Sequence, residues 1–257
     1  MADAKYTRQT VTRVQAWVPG KLFSLRVSRD PAYAFQPGQF ARLGLPIENA
    51  DDPAAAPILW RAYSMVSAPH ETELEFYSIV VPDGPFSPRL AELCPGDTLY
   101  VDKTPYGFLT LERFPDGEDL WLLATGTGLS AYLSILRDPA SRRRFKRIVL
   151  VHGVRAADEL AYRDELQALA DQDAGLAYLP VATREALPGK PQARLTTLIA
   201  DGGLEQLAGM KLDPARSRVM LCGNPAMLAD ARKLLGERGF APGRRGIPGN
   251  LAVENYW

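Results

Sequence analysis

Apolar and polar residues alternate in short runs over roughly the first hundred positions, and the rhythm then changes. Thr12–Trp17, Leu22–Ser28, Phe40–Leu45, Leu59–Val66, Leu74–Val81 and Thr98–Asp102 read as strands, because side chains of a strand point alternately to two faces. Pro19-Gly20, Pro31, Pro37-Gly38 and Pro82-Asp83-Gly84 punctuate them as turns. Ser87 reads as the N-cap of a short helix over Pro88–Leu93. Six short strands at this spacing predict a small antiparallel β-barrel.

Beyond residue 117 strand-like and helix-like segments take turns. Leu120–Ala124 is a buried-type strand, followed by a helix through Arg137. Strand Arg147–His152 precedes helix Asp158–Ala170, and strand Leu176–Ala182 precedes helical patterns at Thr196–Ala200 and Leu204–Gly209. Strand Val219–Cys222 leads into helix Pro225–Arg238. Such alternation predicts an α/β doubly wound parallel sheet. With Pro105–Glu118 as linker, the expected domains are 1–110 and 111–257. Asn49–Pro57 reads as an exposed loop.

Composition narrows the chemistry. The chain has 257 residues, 46 % hydrophobic and 23 % charged, with zero formal net charge, so nothing argues for a nucleic-acid or membrane surface. Met1-Ala2-Asp3-Ala4-Lys5 has no apolar segment of signal-peptide type, and the apolar runs are too short to span a bilayer; a cytoplasmic chain is expected. The two cysteines, Cys94 and Cys222, and the two histidines, His70 and His152, do not lie at metal-ligand spacing, so no metal or iron–sulfur centre is expected.

Two motifs suggest nucleotide chemistry. Gly126-Thr127-Gly128 directly follows the apolar strand, where backbone N–H groups favour a pyrophosphate. A glycine turn needed only for packing would look the same. Arg155 and Arg184 follow the next two strands, with no acidic residue obviously placed for a ribose hydroxyl. Guanidinium groups bind phosphate by forked hydrogen bonds, which favours NADP over NAD; solvated loop arginines are the alternative. In Arg61-Ala62-Tyr63-Ser64, Arg61 and Tyr63 would share one face of a strand and Ser64 the other. Tyr63 could lie on a flavin ring and Arg61 meet a phosphate, or Tyr63 could simply pack into the barrel. Gly84-Pro85-Phe86-Ser87 is a second candidate phosphate cradle. The chain closes on Glu254-Asn255-Tyr256-Trp257, two aromatics where ends commonly fray.

Taken together, Arg-x-Tyr-Ser at 61–64, Gly-x-x-Ser at 84–87, Gly-Thr-Gly at 126–128, Cys-Gly-Asn-Pro at 222–225 and Glu-x-Tyr-Trp at 254–257 resemble the bacterial plant-type ferredoxin (flavodoxin)–NADP+ reductases. The resemblance covers almost the whole chain. It implies an N-terminal FAD barrel and a C-terminal NADP domain. For non-covalent FAD it implies Arg61 and Ala62 at the pyrophosphate, Tyr63 on one flavin face, Ser64 near flavin N5, and Tyr77, Ser78, Ile79 and Val80 along the edge. Pro85, Phe86 and Ser87 would sit at the phosphates, Tyr256 over the other flavin face, and Trp257 on the adenine. For NADP(H) it implies Gly126, Thr127 and Gly128 at the pyrophosphate, and Val154, Arg155, Thr183, Arg184 and Arg194 around the 2′-phosphate, with Thr127 and Glu254 also among the FAD-binding residues. Cys222 and Glu254 would border the nicotinamide; with Ser64 and Tyr256 they form the expected catalytic set. Leu129-Ser130-Ala131-Tyr132 departs from the family's usual apolar, Ala or Gly, Pro, aromatic sequence and implies altered affinity.

The resemblance implies hydride transfer from NADPH to flavin N5, then two one-electron steps to ferredoxin or flavodoxin, with Tyr256 moving aside for the nicotinamide. The expected partner is an acidic carrier, steered by the basic stretch Arg142–Arg147 or by Arg244-Arg245, and the chain is expected to be a monomer. The first stretch also suits a solvated helix end. Two other readings are a reductase serving free flavin or an oxygenase, and a flavin-binding sensor without turnover.

Overall fold

The computed structural model describes residues 5–45, 59–244 and 247–255. The chain forms two compact units. One comprises Met1–Phe108 with Ser130–Asp138, the other Leu109–Leu129 with Pro139–Trp257.

Strands β1 (Tyr6–Val18), β2 (Leu22–Ser28), β3 (Phe40–Leu45), β4 (Leu59–Ser64) and β5 (Glu73–Ile79), the short helix α1 (Ser87–Ala91) and strand β6 (Thr98–Asp102) build the first unit. Its strands form one antiparallel sheet in the order β4-β3-β6-β1-β2-β5. The sheet curls until its edges meet: Met65 bridges Phe76, and Val66 N–H donates to Glu75 C=O at 2.8 Å. The expected barrel is therefore present, and it is filled by Leu25, Val27, Leu43, Phe76, Leu99 and Val101. Strand β1 begins at Tyr6, well before the expected Thr12, because its polar first half pairs with β6 from Tyr6↔Asp102 to Thr10↔Thr98. Ser87 is not the N-cap of α1. It is the first helical residue, and its hydroxyl turns back to accept the Val81 N–H at 2.9 Å.

Helix α2 (Leu129–Arg137) falls in the first unit from Ser130 onward. Polar contacts explain this. Ser134 donates to the Ser67 carbonyl at 2.7 Å. Arg137 meets Glu75 at 2.7 Å and Glu71 at 3.8 Å, and Glu75 also meets Arg26 at 3.0 Å. Glu75 is nearly buried, so its two arginines are the partners its charge requires.

The second unit contains β7 (Asp119–Thr125), α3 (Pro139–Arg142), β8 (Arg147–Val154), α4 (Arg163–Gln172), β9 (Leu176–Ala182), α5 (Leu195–Asp201), α6 (Gly203–Ala208), β10 (Ser217–Gly223), α7 (Pro225–Glu237) and β11 (Leu251–Asn255). All five strands are parallel, in the order β11-β10-β7-β8-β9. The chain moves outward from β7 to β9, then returns to the other side of β7 for β10. Strand direction of progress thus reverses between β7 and β10, and ligands in such folds bind outside the carboxyl ends at that point. Trp121, Leu123, Val149, Val151, Val219 and Leu221 pack one face against residues of α5, α6 and α7. Two differences from expectation concern element ends. Strand β11 extends the sheet where only a terminal segment was foreseen. Helix α4 begins at Arg163 rather than Asp158, because Ala157–Glu159 forms a 3-10 turn and Tyr162 adopts φ +60°.

The basic stretch is partly committed inside its own unit. Arg142 pairs with Asp173 at 3.7 Å, Arg144 donates to the Phe114 carbonyl at 2.9 Å, and Lys146 meets Glu118 at 3.0 Å. Among the described residues no helix is long and apolar enough to cross a membrane, and no cluster of His, Cys, Asp and Glu is suited to a metal ion. The expected loop Asn49–Pro57, Arg245, Tyr256 and Trp257 lie outside the described residues.

Candidate nucleotide and flavin sites

In the second unit a 3-10 turn over Gly126–Gly128 follows β7 immediately. Gly126 has φ +54°, and the space a Cβ would take there is open. Gly128 is the opposite case: a Cβ would lie 2.5 Å from the Cys222 carbonyl oxygen and 2.6 Å from its carbon. Only glycine lets the turn lie against the end of β10. Gly223, at φ +135°, needs the same absence, because its Cβ would run into Thr125. Thr125 ties the two turns together by accepting the Asn224 N–H at 2.9 Å. Asn224 also caps α7, its side chain accepting from Ala226 and Met227 N–H, with Pro225 opening the helix. The sequence Cys-Gly-Asn-Pro thus divides into a strand end, a left-handed joint, a cap and a helix start.

The arginines gather at the ends of β8 and β9. Thr183 N–H donates to the Val154 carbonyl at 3.1 Å and Arg184 N–H to the Arg155 carbonyl at 2.8 Å, so these two strand ends stay paired. Gln192 bridges to Ala182 beside β9, and Arg194 stands at the N-cap position of α5. Arg184 and Arg194 are exposed, and neither guanidinium makes a hydrogen bond or ion pair among the described residues. Two acidic residues lie near these arginines. Glu159 takes both the backbone N–H and the Nε–H of Arg155, at 3.0 and 3.1 Å, and Glu185 accepts the Ala157 N–H. These acids hold the protein's own groups, and Arg155 is oriented by one of them.

Cys222 and Glu254 are register partners on β10 and β11, which places both at one end of the sheet. Cys222 is buried and Glu254 half-buried. His152 lies beneath the glycine turn, fully buried, with Nε2 3.2 Å from the Gly126 carbonyl oxygen. Burial pushes its pKa down to about 4, against the smaller opposing effects of the Gly126 carbonyl and the Glu159 charge.

In the first unit, Tyr63 pairs with Ala41 and Ser64 with Phe40, so the two side chains occupy opposite faces as expected. Arg61 and Ala62 are exposed, and Arg61 Nη1 donates to the Trp60 carbonyl at 2.8 Å. The Tyr63 ring lies 5.8 Å from that of Phe86, tilted by 31°. Burial raises the Tyr63 phenol above its ordinary range, opposed by a hydrogen bond shared with Ser78 and by the Arg61 charge. Tyr77 and Ser78 are buried on β5, Ile79 and Val80 half-buried at its end, and Pro85 exposed on the turn before α1. Ser64 is the informative residue. It is 2 % exposed, and its Oγ has no hydrogen-bond partner among the described residues. A buried hydroxyl without a partner is costly and calls for a ligand. This orphaned donor, on the same strand as Arg61 and Tyr63, fits a flavin nucleotide. The open turn at Gly126 and the two uncommitted guanidinium groups fit a phosphorylated dinucleotide.

Comparison with known proteins gives these halves a common context. Residues 122–233 match the oxidoreductase NAD-binding domain. The chain is 42 % identical over 259 residues to the flavodoxin/ferredoxin–NADP reductase of Escherichia coli, covering 100 % of both chains. The chain belongs to the ferredoxin/flavodoxin–NADP reductase family. It is likewise 43 % identical to ferredoxin–NADP reductase A of Sorangium cellulosum, over 97 % of this chain and 89 % of that protein. Its fold is similar to that of a ferredoxin–NADP+ reductase from Neisseria gonorrhoeae solved with bound FAD and NADP. The TM-score is 0.92 and the identity 39 %, with 99 % of this chain and 100 % of that chain covered.

Within this reductase, sequence reasoning overlooked Thr125, His152 and Asn224. Asn before Pro at a helix start was a readable cap signal. His152 sits inside an apolar strand and Thr125 at a strand end, where neither offers a pattern. At the departure from the family pattern, Ser130 and Tyr132 are buried in α2.

Proposed function

We propose that this oxidoreductase transfers electrons between NADPH and ferredoxin or flavodoxin through FAD. One observation carries the reading: a glycine turn at the switch point of a parallel sheet, with the uncommitted Arg184 and Arg194 following β9 in the same sheet. This arrangement suits a dinucleotide with an additional phosphate.

In this reading Gly126, Thr127 and Gly128 hold the pyrophosphate of NADP(H). Arg184 and Arg194, with Arg155 oriented by Glu159, bind the 2′-phosphate beside Val154 and Thr183. Arg61, Ala62, Pro85, Phe86 and Ser87 hold the FAD phosphates, and Tyr63 supports one flavin face. Tyr77, Ser78, Ile79 and Val80 line its edge. Ser64 Oγ donates the hydrogen bond that it lacks within the protein, and Cys222 and Glu254 shape the nicotinamide's surroundings. By the family resemblance Tyr256 would cover the remaining flavin face and move aside for the nicotinamide, and Trp257 would stack on adenine. FAD, when bound, supplies an acceptor that takes a hydride and gives up electrons singly. The protein's task is to orient the partners and exclude competing chemistry. The carrier is acidic, and the enzyme is a cytoplasmic monomer.

The deciding experiment is anaerobic mixing of the FAD-loaded enzyme with NADPH, then cytochrome c reduction with cognate ferredoxin and flavodoxin added in turn. Rapid bleaching with NADPH, slow bleaching with NADH and carrier-dependent reduction are expected. Bleaching at equal rates with both nucleotides would overturn the NADP assignment. Reduction indifferent to either carrier would favour a free-flavin or oxygenase reductase.

A further inference from the structure

His152 has no place in the electron path just described, yet its setting is specific. It stands on β8 between Ala124 of β7 and Pro180 of β9, with no exposed surface. Its Nε2 is 3.2 Å from the carbonyl oxygen of Gly126. A carbonyl can only accept, so Nε2 carries the proton and Nδ1 presents a lone pair. Nδ1 is buried and has no hydrogen-bond partner among the described residues. The imidazole is thus neutral and has one polar contact, with the nucleotide turn.

The Gly126 carbonyl takes two donors, one on each lone pair. Leu129 N–H closes the 3-10 turn from within. His152 reaches the same oxygen from the sheet and fixes the plane of the Gly126–Thr127 peptide relative to β8. Glycine at φ +54° has wide conformational freedom, so the turn's own stereochemistry does not hold its position. The arginines expected at the 2′-phosphate lie at the ends of β8 and β9, Arg155 three residues beyond His152. A dinucleotide spans a fixed length between pyrophosphate and 2′-phosphate. The distance between turn and arginines must therefore be held.

We propose that His152 is a positioning residue for NADP(H): its Nε2–H ties the Gly126–Gly128 turn to β8 and so sets the turn's place relative to the arginines at the ends of β8 and β9. This rests on the reading of that turn as the pyrophosphate cradle. It predicts an effect on affinity and on the choice between NADP and NAD, with the rate at saturation left alone.

The test compares His152→Phe, which keeps a ring but removes the donor, with His152→Gln, whose amide can donate from nearly the same place. NADP+ binding to the FAD-loaded enzyme is measured by calorimetry, and KM and kcat are measured with NADPH and NADH. In His152→Phe the NADP+ Kd and NADPH KM should rise roughly five- to tenfold, the size of one neutral hydrogen bond. Saturated kcat should stay within about twofold, and the NADH KM should rise less. His152→Gln should restore most of the affinity. Parent-like affinity in His152→Phe, or equal loss in His152→Gln, overturns the proposal. If His152→Phe does not fold, 15N resonances of the parent imidazole decide. The chain has only two histidines, so the signals are readily assigned. An Nε2–H tautomer in the NADP+ complex supports the proposal, and an Nδ1–H tautomer overturns it. Arg184→Ala separates the levels. Unchanged NADP+ affinity in that variant removes the cradle reading and this proposal with it. Weakened affinity there, beside a parent-like His152→Phe, removes the proposal alone.

Discussion

The two units present their candidate sites by different means. In the barrel the candidate site is made of side chains on strands whose backbone is already paired: Tyr63, Ser64 and Ser78 project from a ladder that would exist without them. In the parallel sheet the candidate site is made of the backbone itself. Gly126, Gly128 and Gly223 shape two turns that touch, and Thr125 and Asn224 fasten them. Side-chain sites can lose function while the fold persists. A backbone site has no such separation, because the same atoms hold both the ligand and the fold.

The strongest attempt to break this contrast is Gly128→Ala. The added methyl would meet the carbonyl of Cys222, which is part of a strand and cannot swing away. The variant should lose roughly 3 kcal/mol or more by urea denaturation, at the upper end of overpacking costs. A loss under about 1 kcal/mol would mean that the turns can separate, and the contrast would fail.

Acid should act on the same unit almost as strongly. The unfolded imidazole titrates near 6.5 and the folded His152 near 4, so between these values the unfolded chain binds more protons. The contribution is fully present above pH 6.5 and is lost as pH falls toward 4, reaching roughly 3 kcal/mol. The buried carboxylate of Glu159 moderates it. Denaturation curves of parent and His152→Gln across this range should differ in slope, and parallel curves would assign the acid sensitivity elsewhere.

Arg184→Ala tests a freely projecting element of the sheet's site. The NADPH KM should rise about ten- to a hundredfold, the worth of a charge-assisted phosphate contact, with stability unchanged. Steady-state kinetics with NADH as control would show whether the effect belongs to the extra phosphate. Ser64→Ala should give the smallest change in stability. Its hydroxyl has no partner to lose, so the FAD-free protein should stay within about 0.5 kcal/mol of the parent. Yet NADPH oxidation should slow roughly tenfold if that hydroxyl serves the reacting flavin. A stability loss without a rate loss would make Ser64 merely structural.

Legibility followed the same division. Strands Leu22–Ser28, Phe40–Leu45, Thr98–Asp102 and Leu176–Ala182 were readable to the residue, since local alternation or β-branched runs coincide with turn signals at both ends. The first half of β1 was not, because Tyr6-Thr7-Arg8-Gln9-Thr10 is polar and is held by pairing with a distant strand. Strand β11 escaped notice for the same reason: only its parallel pairing with β10 makes five residues a strand. The start of α4 depends on a left-handed tyrosine, which no propensity announces. Within the site the glycines and arginines could be read, whereas the hydrogen bonds of Thr125 and His152 arise between segments far apart in sequence.

The membership of α2 in the barrel unit has a consequence for how this protein is made. A nascent chain released at Phe108 would contain every strand of the barrel but lack Ser134 and Arg137, the partners of Ser67 and Glu75. Glu75 would then lose Arg137 and keep Arg26. Completion of the first unit must await translation of β7 and the nucleotide turn, so the ribosome cannot deliver the two units one after the other as finished modules. A chimera that exchanges domains at the visible linker would divide the barrel from its own helix. The workable cut carries residues 130–138 with the barrel and grafts the remainder on either side of them.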